Sequence, residues 1–447
     1  MSAAPTTEAS QPARPEPLYV KLRPGPNGPP HDAVAGNQRS RLIGAMIEVV
    51  AERGYAAATL ARLVALAGVS KRAFHELFGT KEEYFLATYD AIVGNAVRRI
   101  GVAYRSEDDW QASLRGAFEA YAAEVVDEPK AARLVLVEAL SAGPAALARM
   151  RRTRLTFEEM VSASFGEAND GVTLPPMIAK GIVCGVARIT RQRLLAGDVA
   201  ELPALADELL AWALSYRSLA THGLALPSRT DSPECCDGPA RWRPRARGES
   251  DGARILRCAG RIAAAKGYAQ LSRARIVRDA GVSEARFDEL FESTEQCFLA
   301  ALDRLGLEAL VCATRAFQGS EQWPAGMHRA IAALMRHIAT NPVLVQVAFV
   351  QTFALGPAGI QRRERLLGQF TDQLMRGLPK SQAPSRLSTE ASVGAIWGIV
   401  DDHVTRGATH LLPQLADYAT YIALAPVIGG EAAVGVIAGD QDHRYLG

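Results

Sequence analysis

Residues 54–85 read GYAAATLARLVALAGVSKRAFHELFGTKEEYF, and residues 267–298 read GYAQLSRARIVRDAGVSEARFDELFESTEQCF. The two stretches align without a gap at a constant offset of 213, and about half of their positions are identical. A repeat this long lies far outside the ~20–50-residue periods of solenoids and marks a whole domain stated twice. In the first copy, apolar Leu42, Met46, Val49 and Val50 share one face of a helix that ends at Gly54, a residue suited to a left-handed helix end. Thr59 stands where it can cap a short second helix. Ala67-Gly68-Val69 supplies a turn with a left-handed glycine and an apolar plug, and Ser70 caps a third helix that runs to Phe78. Thr80 with Glu83 forms a capping box for a long fourth helix, and the second copy keeps that device as Ser293 with Gln296.

This is the pattern of a helix-turn-helix, whose third helix places its N-terminal residues on base edges in the major groove. The repeat extends past these heads. Trp110 pairs with Trp323, Pro129 with Pro342, and Gly143-Pro144 with Gly356-Pro357 at the same offset. Leu202–Asp207 then pairs with Leu412–Asp417 at an offset of 210, three residues shorter. No strand-like alternation interrupts the helical periodicity, so the fold is expected to be all-α. The expected organisation is a disordered arm over 1–37, a first head over 38–90, a helical regulatory body over 91–224 and a Pro/Gly/charge-rich linker over 225–250. A divergent second head over 251–303, a second body over 304–430 and a tail over 431–447 follow.

The heads resemble the DNA-binding region of TetR-type transcriptional regulators, strongly over 39–90 and more weakly over 253–303. The resemblance implies two TetR-like units in one chain, each a three-helix head on a ligand-binding and dimerisation body. It implies a four-helix pairing surface from Ile178–Leu195 with Pro203–Tyr216 and from Ala391–Arg406 with Pro413–Leu424, giving a pseudo-twofold dimer within the chain. Tethering gives such halves a millimolar-scale effective concentration for each other. A homodimer of chains is the other assembly it implies. The DNA-facing residues carried over are Thr59, Ser70, Lys71, Arg72, Ala73, His75 and Lys81 in head one, and Ser272, Ser283 and Arg286 in head two.

The copies disagree where DNA would be read. Lys71, His75 and Lys81 become Glu284, Asp288 and Thr294, and the charge of the recognition helix turns from +1 over Ser70–Phe78 to −2 over Ser283–Phe291. Phosphates repel carboxylates, although Glu284 could accept from a cytosine amino group. Head two therefore either reads a different half-site or has lost DNA binding while keeping its fold. Basic residues at Lys21 and Arg23, and at Arg241, Arg243, Arg245 and Arg247, precede the two heads and could serve as arms or as solvated linker.

Within the bodies, Glu138 and its match Gln351 are polar groups inside apolar runs. With Phe349, Phe353 and Trp397 they are the candidate ligand-binding residues, which makes the second half the more aromatic pocket candidate. The formal net charge of +2 decides nothing, since DNA binding needs only a local basic face. The six cysteines lack metal-ligand or C-x-x-C spacing and are read as reduced thiols, with Cys235-Cys236 in the linker. No signal peptide or run of about 18 apolar residues is evident. No nucleophile–base pair, metal cluster or phosphate loop suggests an enzyme, and neither a metal nor a cofactor is expected. The reading is a cytoplasmic, nucleoid-associated, ligand-responsive repressor whose partners are an operator duplex and a small-molecule effector. The alternative is a small-molecule-binding or protein-interaction scaffold with degenerate heads.

Overall fold

A computed structural model describes residues 31–105, 110–168, 174–217, 249–318, 320, 322–376, 378 and 384–444. The basic arms and Cys235-Cys236 lie outside these residues. All regular structure among the described residues is helical. The chain divides between Thr88 and Tyr89 into two compact units.

The first unit contains α1 (His31–Ala57), α2 (Leu60–Ala67), α3 (Lys71–Leu77) and the start of α4 (Lys81–Tyr104). Helix α1 begins at His31, inside the stretch expected to be a disordered arm up to 37. It kinks at Gly54, where φ is 78° and ψ 162°, so the glycine breaks the helix as its placement predicts. Leu42, Met46 and Val50 of α1 are fully buried, as are Leu63, Phe74 and Tyr84. Gly68 adopts φ 59° and ends α2 in the left-handed conformation, and the Arg41 guanidinium donates to the carbonyls of Ala67 and Gly68. Phe74, Phe78 and Tyr84 stack against one another with ring centroids 4.9–5.7 Å apart, clamping α3 to α4.

The second unit continues with α5 (Trp110–Asp127), α6 (Pro129–Leu136), α7 (Pro144–Ala168), α8 (Pro176–Ala196) and α9 (Leu202–Leu214). Then come α10 (Asp251–Lys266), α11 (Arg273–Ala280), α12 (Glu284–Leu290), α13 (Thr294–Phe317) and α14 (Trp323–Thr340). Last are α15 (Pro342–Phe349), α16 (Pro357–Met375), α17 (Arg386–Thr405), α18 (Ala416–Ile428) and α19 (Gly430–Arg444). Element lengths recur in order: α2 and α11 have 8 residues each, α3 and α12 have 7, α4 and α13 have 24. Helices α5 and α14 have 18, and α9 and α18 have 13. Helix α19 corrects the expectation of a tail after 430. It packs on α14 and α18 and buries Ala433 and Ile437, contacts that its Gly-rich sequence does not announce.

Helix α8 packs along α17, and α9 and α18 flank that pair. Four glycines make the approach close: Gly181 and Gly185 on α8, Gly394 and Gly398 on α17, each pair again 213 apart. A Cβ on Gly398 would lie 2.3 Å from Cys184 Cβ, and one on Gly185 would lie 2.7 Å from the Ala391 carbonyl oxygen. Several buried polar groups are paired across this seam. Trp212 Nε1 donates to Ser392 Oγ at 3.0 Å, and the Tyr216 hydroxyl donates to the Ile422 carbonyl at 3.0 Å. Each such bond adds roughly 1 kcal/mol net and would cost more if left unmade. Thr409–Ile428 has the length and mean hydropathy of a membrane span, but most of it is buried inside this unit.

Candidate DNA interface and effector cavity

Helix α3 exists because Ser70 starts it and Phe78 stops it. Ser70 Oγ accepts from the Ala73 N–H at 3.1 Å, which leaves its own hydrogen free to donate. With Phe74 driven into the core, Lys71, Arg72, His75 and Glu76 are left on the exposed side of the helix. Arg72 Nε lies 3.1 Å from Glu76 Oε1, with both side chains exposed. Such an i,i+4 pair is worth only about 0.3–0.5 kcal/mol, so a phosphate can compete for the guanidinium. Ala73 is half-buried and contributes its backbone to the cap rather than a side chain to the surface.

One sequence expectation is corrected, and a second residue has an added role. Thr59 occupies the N-cap position of α2 but makes no side-chain capping bond. Its exposed hydroxyl is left available instead. Lys81 is half-buried: its ammonium donates to the Tyr55 carbonyl at 2.8 Å and lies 4.2 Å from the Tyr55 ring centroid. Burial pushes its pKa down. Lys81 therefore braces the kink of α1, and only its remaining N–H donors can face outward. The capping box forms as expected, with Glu83 N–H donating to Thr80 Oγ1 at 3.1 Å and Glu83 Oε2 accepting from Gly79 N–H at 2.8 Å.

Head two keeps the scaffold. Ser283 Oγ accepts from the Arg286 N–H at 3.1 Å, Gly281 has φ 64°, and Phe287 is buried. Two of its arginines are held in internal ion pairs. Arg273 pairs with both Glu284, at 3.1 Å, and Asp288. Arg286 pairs with Asp251 at 3.0 Å and Glu289 at 2.6 Å. Ser272, exposed at the start of α11, makes no capping bond, like Thr59. Arg286 is thus held by two carboxylates, where Arg72 in head one has one weak partner.

A cavity of about 260 Å³ lies within the second unit. Helices α4, α5, α7 and α8 wall it, closed on one side by α16 and α17. Phe118, Tyr121, Phe157, Met160 and Ile182 give it an apolar body. Five arginines (151, 154, 188, 191 and 363) face only two acids among the lining residues, Asp401 and Asp402. Most of these groups are tied. Arg154 lies 2.6 Å from Asp402 Oδ1 and 3.1 Å from Glu158, while Lys180 Nζ lies 2.6 Å from Asp402 Oδ2. Arg188 and Arg191 share Glu364 at 3.0 and 3.3 Å. Burial alone would raise the Asp402 pKa, but the hydrogen bond and charge of Lys180, with Arg154 and Arg406, hold it below the ordinary value. Burial pushes the Cys184 thiol up, so it lines the cavity as a neutral group.

The sequence-based ligand candidates mostly fall elsewhere. Only Trp397 lines this cavity. Gln351 Oε1 accepts from the Tyr268 N–H at 2.8 Å, tying head two to the body beneath it. Glu138 is buried in the turn after α6, with Arg133 Nη2 3.7 Å away, and does not line the cavity. Phe349 and Phe353 are buried beneath the Arg363 guanidinium, 5.6 and 5.4 Å from their ring centroids. They are packing residues. The charged groups that do surround the cavity were missed, because a helical pattern puts Lys180 and Arg188 on buried faces without naming their partners. One signal was present: Arg151 and Arg188 are matched by Glu364 and Asp401 at the 213 offset, a reversal of charge at equivalent positions.

Residues 42–88 match the family model described as bacterial regulatory proteins, tetR family. The match lies within the first head. The chain is 34% identical over 98 residues to the HTH-type transcriptional activator FasR of Mycolicibacterium smegmatis. That match covers 22% of this chain, and the chain spans 45% of the relative's length. Among solved structures, the transcriptional regulator FadR from Bacillus subtilis, in complex with stearoyl-CoA, is 16% identical. It aligns over 39% of this chain and 97% of its own, with a TM-score of 0.36. A TetR-like regulator from Rhodococcus sp. RHA1 is 21% identical over 42% of this chain and 95% of its own, with a TM-score of 0.34.

Proposed function

We propose that the chain is a ligand-responsive regulator of transcription that binds operator DNA through α3 and represses the genes it controls. The observation that carries this is the exposed Lys71-Arg72 pair at the start of a capped helix-turn-helix recognition helix. Phosphate contacts supply affinity and base contacts specificity, and α3 offers groups for both. In this reading the chain works as an intramolecular pseudo-dimer. The glycine-lined packing of α8 on α17, the part-buried Arg154–Asp402 bridge and the buried Arg188–Glu364 bridge support it. Isologous pairing uses the same patch twice, which fits glycine pairs that recur at the repeat offset.

The two heads contribute unequally. Ion pairs within head two occupy Arg273 and Arg286, so approach of a phosphate there would expose Glu284 and Asp288 to it. An effector in the cavity lies against helices from both halves and shifts the chain toward whichever arrangement binds it better. The deciding experiment is a mobility shift of the full chain on the gene's own upstream region, with a reporter fused to that region. Retarded DNA with raised reporter output on deleting the gene is the expected result. No retardation would leave the scaffold reading with unused heads, and lowered output would make the protein an activator.

A further inference from the structure

We propose that the chain takes one effector, not two, in the cavity walled by α4, α5, α7 and α8, and that this effector has an apolar body and an anionic end. The inference rests on the effector reading above and concerns the number and chemistry of its sites.

A second, smaller cavity of about 60 Å³ lies among α13, α14, α16 and α17. Moving its lining residues back by 213 positions lands eleven of the thirteen on residues that line the large cavity. Phe317 falls on Tyr104, Ile331 on Phe118, Leu334 on Tyr121 and Phe370 on Phe157. The two cavities are one site in two versions, and their volumes differ about fourfold.

One position stands out among the differences. Cys184 of the large cavity corresponds to Trp397 of the small one. The indole fills space that the thiol leaves open. It stacks on Phe370 at 5.1 Å and Phe349 at 5.6 Å, and it also forms part of the large cavity's wall. A volume of 60 Å³ holds about two water molecules at ~30 Å³ each, whereas the larger one approaches the ~300 Å³ lower end of small-molecule pockets.

Charge separates the versions as well. Arg151, Arg154, Arg188 and Arg191 of the large cavity correspond to Glu364, Leu367, Asp401 and Val404. The second version therefore lacks these four cations. Two of the first version's cations have capacity left over. Arg188 is 2% exposed, and its Nη2 is buried with no hydrogen-bond partner among the described residues. Arg151 makes no ion pair among the described residues. The symmetric counterpart of the Arg188–Glu364 bridge would join Arg151 to Asp401. Both line the cavity, and Asp401 turns instead to Arg363 at 3.0 Å. A buried guanidinium donor without an acceptor is costly, and an anion is the partner that satisfies it best.

Isothermal titration of the full chain with sodium dodecanoate tests this, with dodecanol as the uncharged comparison. One equivalent per chain is expected, with dodecanoate binding about tenfold or more tighter than dodecanol. Cys184→Trp, which gives the first site the residue of the second, should abolish binding. Arg151→Glu, at a half-exposed position, guards against a folding defect. It should weaken dodecanoate about tenfold and leave dodecanol unchanged. Two equivalents in the unaltered chain, equal affinity for the two probes, or undiminished binding by Cys184→Trp would each overturn the proposal. A mobility shift run in parallel separates the two readings. One bound dodecanoate with no effect on DNA binding would sink the effector reading and leave the single anion site standing.

Discussion

Lys180 Nζ lies 2.6 Å from Asp402 Oδ2, and both side chains are almost completely buried. Lys180 comes from α8 and Asp402 from α17, so this pair bridges the seam between two helices 222 residues apart in sequence. Arg154, at 2.6 Å, and Arg406, at 3.1 Å, also pair with Asp402. Removing Asp402 leaves the Lys180 ammonium charged and buried. Asp402→Asn is expected to destabilise the chain by about 3–5 kcal/mol, while Lys180→Met with Asp402→Leu should recover much of the loss. Urea unfolding of the single and double variants checks this. Equal loss in both would contradict a penalty that comes from the orphaned charge.

The same carboxylate sets an acid limit. Its folded pKa is depressed, so its stabilisation is fully present above the ordinary Asp value of ~3.9 and is lost as pH falls through the lower folded value. Glu158 runs the other way: burial raises its pKa, so its protonation on mild acidification relieves a cost. His403, lowered by burial, costs stability as pH falls through its unfolded value near ~6.5. The expected profile changes little from neutrality to about pH 5, where the latter two oppose each other, and falls steeply below about pH 4. Urea midpoints across pH for the unaltered chain and the Lys180→Met, Asp402→Leu double variant measure it. The double variant should lose steepness on the acid side.

The glycine contacts along α8 and α17 are a third point of attack. Gly185→Ala would press a methyl group to within 2.7 Å of the Ala391 carbonyl oxygen, which belongs to a helix backbone and cannot swing away. Overpacking of this kind costs about 1–3 kcal/mol. Gly435→Ala, with nothing within 4 Å of the added methyl, is the matched control. It should leave the thermal midpoint unchanged or slightly raised, since Ala favours helix. Similar losses in both would mean that the close approach is not what the glycine provides.

On DNA, Lys71→Ala and Arg72→Ala should each weaken binding. Each should also flatten the salt dependence by about 0.9 in the log–log slope for every phosphate the side chain neutralises. Glu284→Ala should not weaken binding. Binding measured across a salt series separates these outcomes, and selection of sites from random duplexes should return one strong half-site. A symmetric palindrome would contradict unequal heads.

The helix-turn-helix was legible because its signals are local. A left-handed glycine at 68, a serine cap at 70 and a capping box at 80 and 83 act within one or two turns, and each sits where the spacing placed it. The missing side-chain cap at Thr59 and the Lys81–Tyr55 contact were not legible for the opposite reason. Both are decided by how α1 and α2 lie against α4. The helix at Gly430–Arg444 escaped notice because its stability comes from packing on α14 and α18, against a weak local propensity.

The sequence by itself determined that the chain is helical, that its elements recur at an offset of 213, and that the first head carries basic residues where the second carries acids. These follow from periodicity, capping and identity, which need no knowledge of distant contacts. Only the tertiary structure decided where open space remains. Aromatic residues in the second half suggested a pocket there, yet Trp397 fills that space, and its counterpart Cys184 leaves the first version open. Side-chain type fixes volume and polarity. Whether a ring lines a cavity or occupies it depends on the helices it meets, and here those come from positions some two hundred residues apart.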